Sequence, residues 1–235
     1  MKFKLYILYI FVFLFSCNST YIIQSYDAEL IGVESAIDSS IFHLIKPYQS
    51  KIEDQMNEVL TYTKYDLKKG KPQSTIGNFV TDLCLSYSDA QICVFNNGGL
   101  RTSIDKGDIT RGKIYELMPF ENELVILELN QSDYLELLNY ITSRGGEPFS
   151  GINLSIDNNG NILDKTMPVD FKNGEKVKVL TSDYLANGGD KMKFFKNKKQ
   201  KKIGLKLRDA IIDYCEKNDT INVKIDNRII ILNNE

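Results

Sequence analysis

Residues 91–129 read QICVFNNGGLRTSIDKGDITRGKIYELMPFENELVILEL, and strand-like, turn-like and helix-like segments follow one another within them. The apolar run QICVF, at 91–95, predicts a buried strand that ends in two asparagines and two glycines. The segment GKIYEL, at 112–117, predicts a short helix, and ELVILEL, at 123–129, predicts a second buried strand. Glycines at the end of a buried strand allow a ligand to approach the backbone there.

Strands and helices are interspersed along the rest of the chain. Apolar residues at helical spacing predict a helix over about 75–87, with Ser74 or Thr75 as its cap. Two strand-like segments on either side of NNGN, at 158–161, predict a β-hairpin. Further strands are predicted over 59–67, 175–185 and 227–232, and further helices around 41–59, 134–141 and 207–214. This mixture predicts an α+β fold, a single domain with a mixed β-sheet flanked by helices.

The composition excludes several classes of function. Of the 235 residues, 43% are hydrophobic and 26% are charged, as in an ordinary globular protein, and the net charge of −2 argues against a nucleic-acid partner. The single histidine, His43, lies in a helical pattern and is interpreted as a structural residue. A dinuclear hydrolase site needs several histidine and carboxylate ligands, so no metal site or other cofactor is expected in this chain.

The first residues are those of an export signal. Two lysines and an apolar run precede Leu14-Phe15-Ser16-Cys17, which resembles a bacterial lipobox. We therefore expect a lipoprotein-type signal peptide over 1–16, lipidation at Cys17, a flexible tether over 17–38 and a domain over 39–235. A plain signal peptide is the alternative. Both predict export, and the first predicts a periplasmic protein lipid-anchored to a bacterial membrane.

The three remaining cysteines allow two interpretations. Cys84, Cys93 and Cys215 could form one disulfide with one thiol left over, as an odd number in an exported chain suggests. Their spacing suits no metal site, and buried free thiols are the favoured interpretation.

Three glycine-rich or aromatic segments carry candidate binding residues. In NNGGLR, Gly98 and Gly99 permit close approach of a ligand, Asn96 offers a donor and an acceptor, and Arg101 can bind a phosphate or carboxylate. The same residues can also form a simple turn. In SDYLANGGD, Asp190 can accept hydrogen bonds from a ribose diol and Tyr184 can stack on a planar base.

The alternatives for these residues are structural. Asp190 can cap a helix, and Tyr184 can belong to the core. Phe120, which Pro119 holds in a turn before the second buried strand, is by itself typical of a core residue.

Taken together, these motifs resemble the C-terminal domain of the 5′-nucleotidase family. The resemblance covers about residues 40–232, in motifs that follow the order of the family. It rests on IKPYQSKIEDQMNEVL (45–60), STIGNFVTDL (74–83), the run from Asn96 to Leu129, TSDYLANGGD (181–190), LRDAIIDY (207–214) and DNRI (226–229).

The resemblance implies a role for each candidate residue. Phe120 and Tyr184 would sandwich the base, with Tyr184 standing where the family commonly has phenylalanine, and Asp190 would hold the ribose hydroxyls. Asn96 and Arg101 would contact the substrate, Arg101 at its phosphate, while Gly98 and Gly99 would lie close to the ligand. No catalytic residue is expected. An arginine that the family often carries before its GN segment is replaced here by Lys71 and Gln73, and Lys71 could substitute as a point charge.

The resemblance also predicts how the chain functions. In the family, a separate metallophosphatase domain binds two metals and performs hydrolysis, and the motifs of that domain do not occur in these residues. We therefore expect the nucleotide-recognition half of a split 5′-nucleotidase, with two divalent metals in a partner metallophosphatase subunit. An exported lipoprotein that binds nucleosides or nucleotides without a hydrolytic partner is the alternative, and a structural lipoprotein that has lost the ligand is a third possibility.

Overall fold

The computed structural model describes residue 32 and residues 38–232. The predicted signal peptide and lipidated Cys17 lie outside the described residues, as does the tether apart from residues 32 and 38. The chain divides into two units, Met1–Leu44 and Ile45–Glu235. In the first unit, the described residues from 39 onward begin helix α1. All of the strands given below belong to the second unit.

The helices and strands mostly follow the sequence pattern. The α-helices are α1 (Ser39–Met56), α2 (Thr75–Ser86), α3 (Arg111–Leu117), α4 (Gln131–Ser143), α5 (Asp183–Ala186) and α6 (Leu207–Lys217). The strands are β1 (Val59–Thr63), β2 (Ile92–Val94), β3 (Gly107–Thr110), β4 (Glu123–Leu129), β5 (Phe149–Ser150), β6 (Leu154–Ile156), β7 (Ile162–Lys165), β8 (Val177–Ser182), β9 (Lys201–Lys206), β10 (Thr220–Ile221) and β11 (Ile229–Ile231). Helix α1 continues through Pro47 and is not divided there.

The central sheet has five strands in the order β5-β2-β8-β4-β9. Strands β2 and β8 are parallel, and the other pairs in this sheet are antiparallel. Two smaller sheets have the orders β10-β1-β3 and β11-β6-β7, the second of which contains the predicted hairpin. Mixed sheets flanked by helices confirm the predicted α+β class.

Helices cover both faces of the central sheet. Along β4, Leu124 and Ile126 contribute to one hydrophobic core with α2, α3 and α6, whereas Val125 and Leu127 contribute to another with α4. Successive residues of a strand face opposite sides, so a strand covered on both faces must be apolar throughout. This explains why ELVILEL is a nearly continuous apolar run.

Local capping fixes where the helices begin. The Ser74 hydroxyl accepts a hydrogen bond from the backbone N–H of Gly77, and this confirms Ser74 as the cap of α2. Helix α4 starts with a capping box between Asn130 and Asp133. Of the helices formed by residues 38–232, none combines the length and the apolar character needed to cross a lipid bilayer.

The strand directions bring three loops to one edge of the sheet. Strands β2 and β8 are neighbours and run parallel, so the loops that follow them leave at the same edge. Strand β4 runs antiparallel to β8, so the loop that precedes β4 arrives at that edge too. The segments concerned are 95–101, 118–122 and 183–190, the last of which begins with helix α5, and they carry all seven candidate binding residues.

Candidate functional site

A cavity of about 380 Å³ opens at this edge of the sheet. The residues that line it are Asn96, Gly98, Gly99, Arg101, Phe120, Asn122, Tyr184 and Asp190. All seven residues singled out from the sequence therefore lie on one cavity, together with Asn122, which the sequence reasoning missed. Asn122 comes two residues after Phe120, just before β4, and that position is the signal that could have identified it.

The NNGGLR segment forms a turn that is also part of the cavity wall. The backbone N–H of Gly99 donates to the carbonyl of Asn96 at 3.0 Å. A Cβ atom on Gly99 would lie 2.9 Å from Oδ1 of Asn96, so the Asn96 side chain would have to shift. The turn interpretation is thus correct for the backbone, and the absence of a side chain lets the turn close against Asn96.

Two aromatic rings at the cavity are about half exposed. Phe120 is 42% exposed and Tyr184 is 49% exposed, whereas the large side chains of the core are almost fully buried. The interpretation of these two residues as core residues is therefore wrong. The guanidinium carbon of Arg101 lies 5.9 Å from the centre of the Phe120 ring, and Nη1 of Arg101 donates to the carbonyl of Gly98 at 3.1 Å. Arg101 thus lies beside one of the two rings.

The carboxylate of Asp190 is held by partners from two other loops. Nδ2 of Asn96 donates to it at 2.9 Å, and Nη2 of Arg144 donates to its two oxygens at 3.0 and 3.1 Å. Arg144 in turn donates from Nε to Glu147 at 2.5 Å, and the Glu147 side chain is fully buried. The hydrogen bond with Glu147 raises the pKa of the Arg144 guanidinium. A charged network therefore links Glu147 to the cavity wall.

The sequence reasoning missed this network. Arg144 and Glu147 flank a Gly-Gly pair after α4, so a guanidinium and a carboxylate three residues apart were the available signal. Glu147 also accepts a hydrogen bond from the backbone N–H of Asn97 at 2.6 Å. The buried carboxylate thereby connects the loop after β2 to the loop after α4.

A buried arginine holds the loop that carries Phe120. Arg208, in α6, is 6% exposed, and its guanidinium carbon lies 4.2 Å from the centre of the Tyr115 ring. Its Nη1 donates to the carbonyl of Met118 at 3.3 Å, and its Nη2 forms an ion pair with Glu121. Met118 and Glu121 are at opposite ends of the short segment that presents Phe120, so Arg208 braces both ends.

Lys71 and Gln73, which replace an arginine of the family, lie away from the cavity. Lys71 is not among the residues that line the cavity; its Nζ donates to the backbone carbonyl of Arg144. The side chain of Gln73 contacts the carbonyl of Ile229. Within residue 32 and residues 38–232, no group of three or more histidine, cysteine, aspartate and glutamate side chains is arranged to hold a metal ion.

A second cavity, of about 470 Å³, lies at the opposite end of the central sheet. Its lining includes Lys178 at the start of β8 and Lys201 at the start of β9. Asp89 pairs with both of these lysines, and no aromatic ring lines the cavity. A lining rich in lysine provides no flat surface for a heterocycle, so the 380 Å³ cavity is the better candidate for a binding site.

Comparisons with known proteins identify the family to which the fold is related. A family model described as 5′-nucleotidase, C-terminal domain, matches residues 56–197. The trifunctional nucleotide phosphoesterase protein YfkN of Bacillus subtilis is 30% identical over 168 residues, which cover 61% of this chain and 12% of that protein. The 5′-nucleotidase of Vibrio vulnificus is 24% identical over 213 residues, which cover 83% of this chain and 38% of that protein.

Solved structures share the fold. The 5′-nucleotidase precursor from Thermus thermophilus superimposes with a TM-score of 0.68 at 24% identity, covering 84% of this chain and 44% of that one. The NAD nucleotidase of Haemophilus influenzae gives a TM-score of 0.65 at 17% identity, covering 84% of this chain and 42% of that one. The chain spans less than half the length of each of these four proteins.

Proposed function

The chain belongs to the 5′-nucleotidase C-terminal domain family, and from this premise we propose that it is the nucleotide-recognition half of a split 5′-nucleotidase. Phe120 and Tyr184 hold the base between them, and Asp190 accepts hydrogen bonds from the ribose. Asn96 and Arg101 contact the remaining polar groups, with Arg101 at the phosphate. The supporting observation is that residues from three separate loops line one cavity of about 380 Å³, which is a suitable size for a small ligand.

The exposed rings favour a stacked ligand. Other rings, such as Tyr62 and Tyr65, are similarly exposed, but Phe120 and Tyr184 both line one cavity together with polar side chains. Stacking of a base on an aromatic ring contributes about 1–3 kcal/mol. A hydrogen bond to a charged carboxylate contributes about 1.5–3 kcal/mol more. Together these contacts are sufficient for weak to moderate binding of a nucleoside.

In this proposal hydrolysis requires a second chain. The 235 residues contain one histidine, and the sites that activate water for phosphate-ester hydrolysis commonly use several. The two divalent metals of a partner metallophosphatase would supply the attacking hydroxide. This chain would hold the base and ribose, and the Arg101 guanidinium would stabilise the phosphate charge.

The test of recognition is calorimetry of the domain against adenosine, AMP and a nucleotide sugar, with and without divalent metal. We expect adenosine to bind in both conditions, because none of the proposed contacts involves a metal. AMP should bind more tightly than adenosine if Arg101 contacts the phosphate. Absence of binding by all three ligands would overturn the proposal.

The division of labour has its own test. A phosphatase assay of the purified chain on AMP, with Mn²⁺ or Zn²⁺, should give no turnover. Hydrolysis by the chain alone would contradict the assignment of the metals to a partner. Recovery of a metallophosphatase with the chain from the native cell envelope would support the split enzyme. Nucleoside binding without such a partner would favour the alternative, a nucleoside-binding lipoprotein.

We also propose that the chain is exported to the periplasm and anchored through a lipid on Cys17. The support is the lipobox-like ending of the apolar N-terminal segment. Replacing Cys17 with alanine should move the protein from the membrane fraction to the soluble fraction and abolish labelling by a radioactive fatty acid. Membrane association that survives this replacement would contradict the proposal.

A further inference from the structure

Asp190 has a backbone conformation that is unusual for a residue with a side chain. Its φ of 48° and ψ of 34° lie in the left-handed region, and Lys191 follows with a φ of 69°. Residues other than glycine are uncommon in this region, although aspartate and asparagine enter it more readily than the others. The direction of the Asp190 carboxylate depends on this conformation, because the backbone angles set where the Cβ atom points.

Two tyrosine hydroxyls bind the two backbone polar groups of Asp190. The N–H of Asp190 donates to the hydroxyl of Tyr184 at 3.1 Å. The hydroxyl of Tyr140 donates to the carbonyl of Asp190 at 2.9 Å. Tyr184 belongs to α5 and Tyr140 to α4, so two separate helices hold the same residue.

Both tyrosine rings are themselves held by close packing. A Cβ atom on Gly189 would lie 2.6 Å from two carbon atoms of the Tyr184 ring, so this ring lies directly against the backbone of the turn. The Tyr140 ring packs against Phe194, with 6.0 Å between the ring centres, and against the guanidinium of Arg144 at 5.1 Å. Because their rings are fixed, the hydroxyls are fixed as well.

The protein already uses part of the acceptor capacity of the Asp190 carboxylate. A carboxylate offers about four acceptor sites. Asn96 and Arg144 make three hydrogen bonds to it. A ligand hydroxyl must therefore donate to the acceptor site of the Asp190 carboxylate that is still free. A small rotation of the Asp190 backbone would move this acceptor site away from the hydroxyl.

We propose that Tyr184 and Tyr140 are positioning residues, which hold Asp190 in its left-handed conformation so that its free acceptor meets a ribose hydroxyl. This inference rests on the proposed function and extends it. It makes the hydroxyls of Tyr184 and Tyr140 responsible for the preference for a ribose over a sugar that lacks the 2′- and 3′-hydroxyls. Tyr184 then has two separate roles, since its ring stacks on the base and its hydroxyl fixes Asp190. A phenylalanine could perform only the first.

Tyr184→Phe and Tyr140→Phe separate the two roles, because each removes a hydroxyl and keeps the ring. The affinities of wild type and both variants for adenosine and for 2′,3′-dideoxyadenosine are measured by calorimetry. Loss of one hydrogen bond that orients Asp190 should weaken adenosine binding about fivefold in each variant. Binding of dideoxyadenosine should not change, because that ligand lacks the 2′- and 3′-hydroxyls that would donate to Asp190.

Tyr134→Phe is the matched control. Tyr134 lies on the same helix as Tyr140, and its hydroxyl also donates to a backbone carbonyl, that of Thr166 at 2.5 Å. This variant should leave the ratio of the two affinities unchanged, even if it lowers stability. A thermal melt of each variant gives the stability change independently of binding.

The outcomes distinguish this inference from the proposed function. If wild type binds neither ligand, the proposed function fails. If wild type prefers adenosine and both site variants keep the same preference, the inference is overturned while nucleoside recognition stands. A loss of preference in Tyr134→Phe equal to that in Tyr140→Phe would also overturn it, since the effect would then be general destabilisation.

Discussion

Arg144 donates from Nη2 to both carboxylate oxygens of Asp190, at 3.0 and 3.1 Å, while its Nε donates to Glu147 at 2.5 Å. The three side chains differ greatly in accessibility. The Glu147 side chain is fully buried, whereas those of Arg144 and Asp190 are 31% and 21% exposed. One guanidinium therefore neutralises a carboxylate in the interior and orients another at the cavity, so a change at Arg144 should affect stability and binding together.

Replacing Arg144 with methionine should destabilise the domain by about 1–3 kcal/mol, because the buried Glu147 carboxylate loses its charged partner. The measurement is the free energy of unfolding in urea. Lys217→Met is the control, since Lys217 forms an ion pair with Asp213 in which both side chains are largely exposed. That pair should contribute less than about 1 kcal/mol. If both variants lost the same free energy of unfolding, the burial of Glu147 would not strengthen its ion pair with Arg144.

The same substitution should weaken adenosine binding without affecting dideoxyadenosine. Arg144→Met removes two of the three hydrogen bonds that orient the Asp190 carboxylate. If the affinities for adenosine and dideoxyadenosine fell equally, the substitution would have altered the whole cavity and not the Asp190 carboxylate in particular. Calorimetry on protein that is fully folded at the assay temperature distinguishes the two results.

The sequence predicted the positions of the loops better than the contacts between them. Phe120, Tyr184 and Asp190 could be singled out because glycine pairs and a proline mark the ends of apolar strands, whereas their binding roles came from the resemblance to the family. The Arg144–Asp190 and Tyr140–Asp190 contacts could not, since they join residues 46 and 50 positions apart and leave no periodic signal. Tyr140 falls within a helical pattern, where an inward tyrosine is normally interpreted as packing.

Strand β9 was not predicted for a different reason. Its sequence KKIGLK, at 201–206, contains three lysines and a glycine, and it reads as a polar segment. It is an edge strand of the central sheet, and among the described strands it pairs with β4 alone. Lysines are favoured on edge strands because they discourage pairing with another chain. The same lysines remove the apolar pattern by which a strand is predicted from sequence.

Phe120→Ala should reduce the affinity for adenosine by about 5- to 150-fold, which corresponds to the loss of one stacking contact. The stability of the domain should change little, because the ring is 42% exposed. Tyr62→Ala is a suitable control, since this ring on β1 is similarly exposed at 38% and does not line the cavity. Calorimetry with adenosine and a thermal melt of each variant test both expectations. Unchanged affinity in Phe120→Ala would remove the ring from the proposed site.

Arg208 should control the mobility of the segment that carries Phe120. The chain contains no tryptophan, so Phe120→Trp would place a single fluorescent reporter at the cavity. In that background, Arg208→Met should increase quenching of the reporter by acrylamide and lower its anisotropy, because both ends of the segment lose their brace. Lys206→Met is the control, since Lys206 contacts the same Glu121 but is 45% exposed. An equal response in the two variants would contradict the bracing role of Arg208.

Acid should remove the stability that Asp226 gives to the segment just before β11. Arg228 donates to Asp226 through Nη2 at 2.6 Å and to Asp82 through Nη2 at 2.8 Å, next to the carbonyl of Phe149. The hydrogen bonds from Arg228 lower the pKa of Asp226 below its ordinary value of 3.8. A carboxylate with a lowered native pKa contributes stability that is complete above its ordinary pKa and is lost as the pH falls through the native pKa.

We therefore expect the contribution of Asp226 to the free energy of unfolding to be constant near neutral pH and to decline as the pH falls below 3.8. Asp226→Asn should lower stability at pH 7 and flatten the acid decline, because the variant no longer titrates at this position. Urea unfolding of wild type and the variant between neutral and acidic pH is the measurement. An acid decline in Asp226→Asn as steep as that of wild type would mean that other carboxylates cause it.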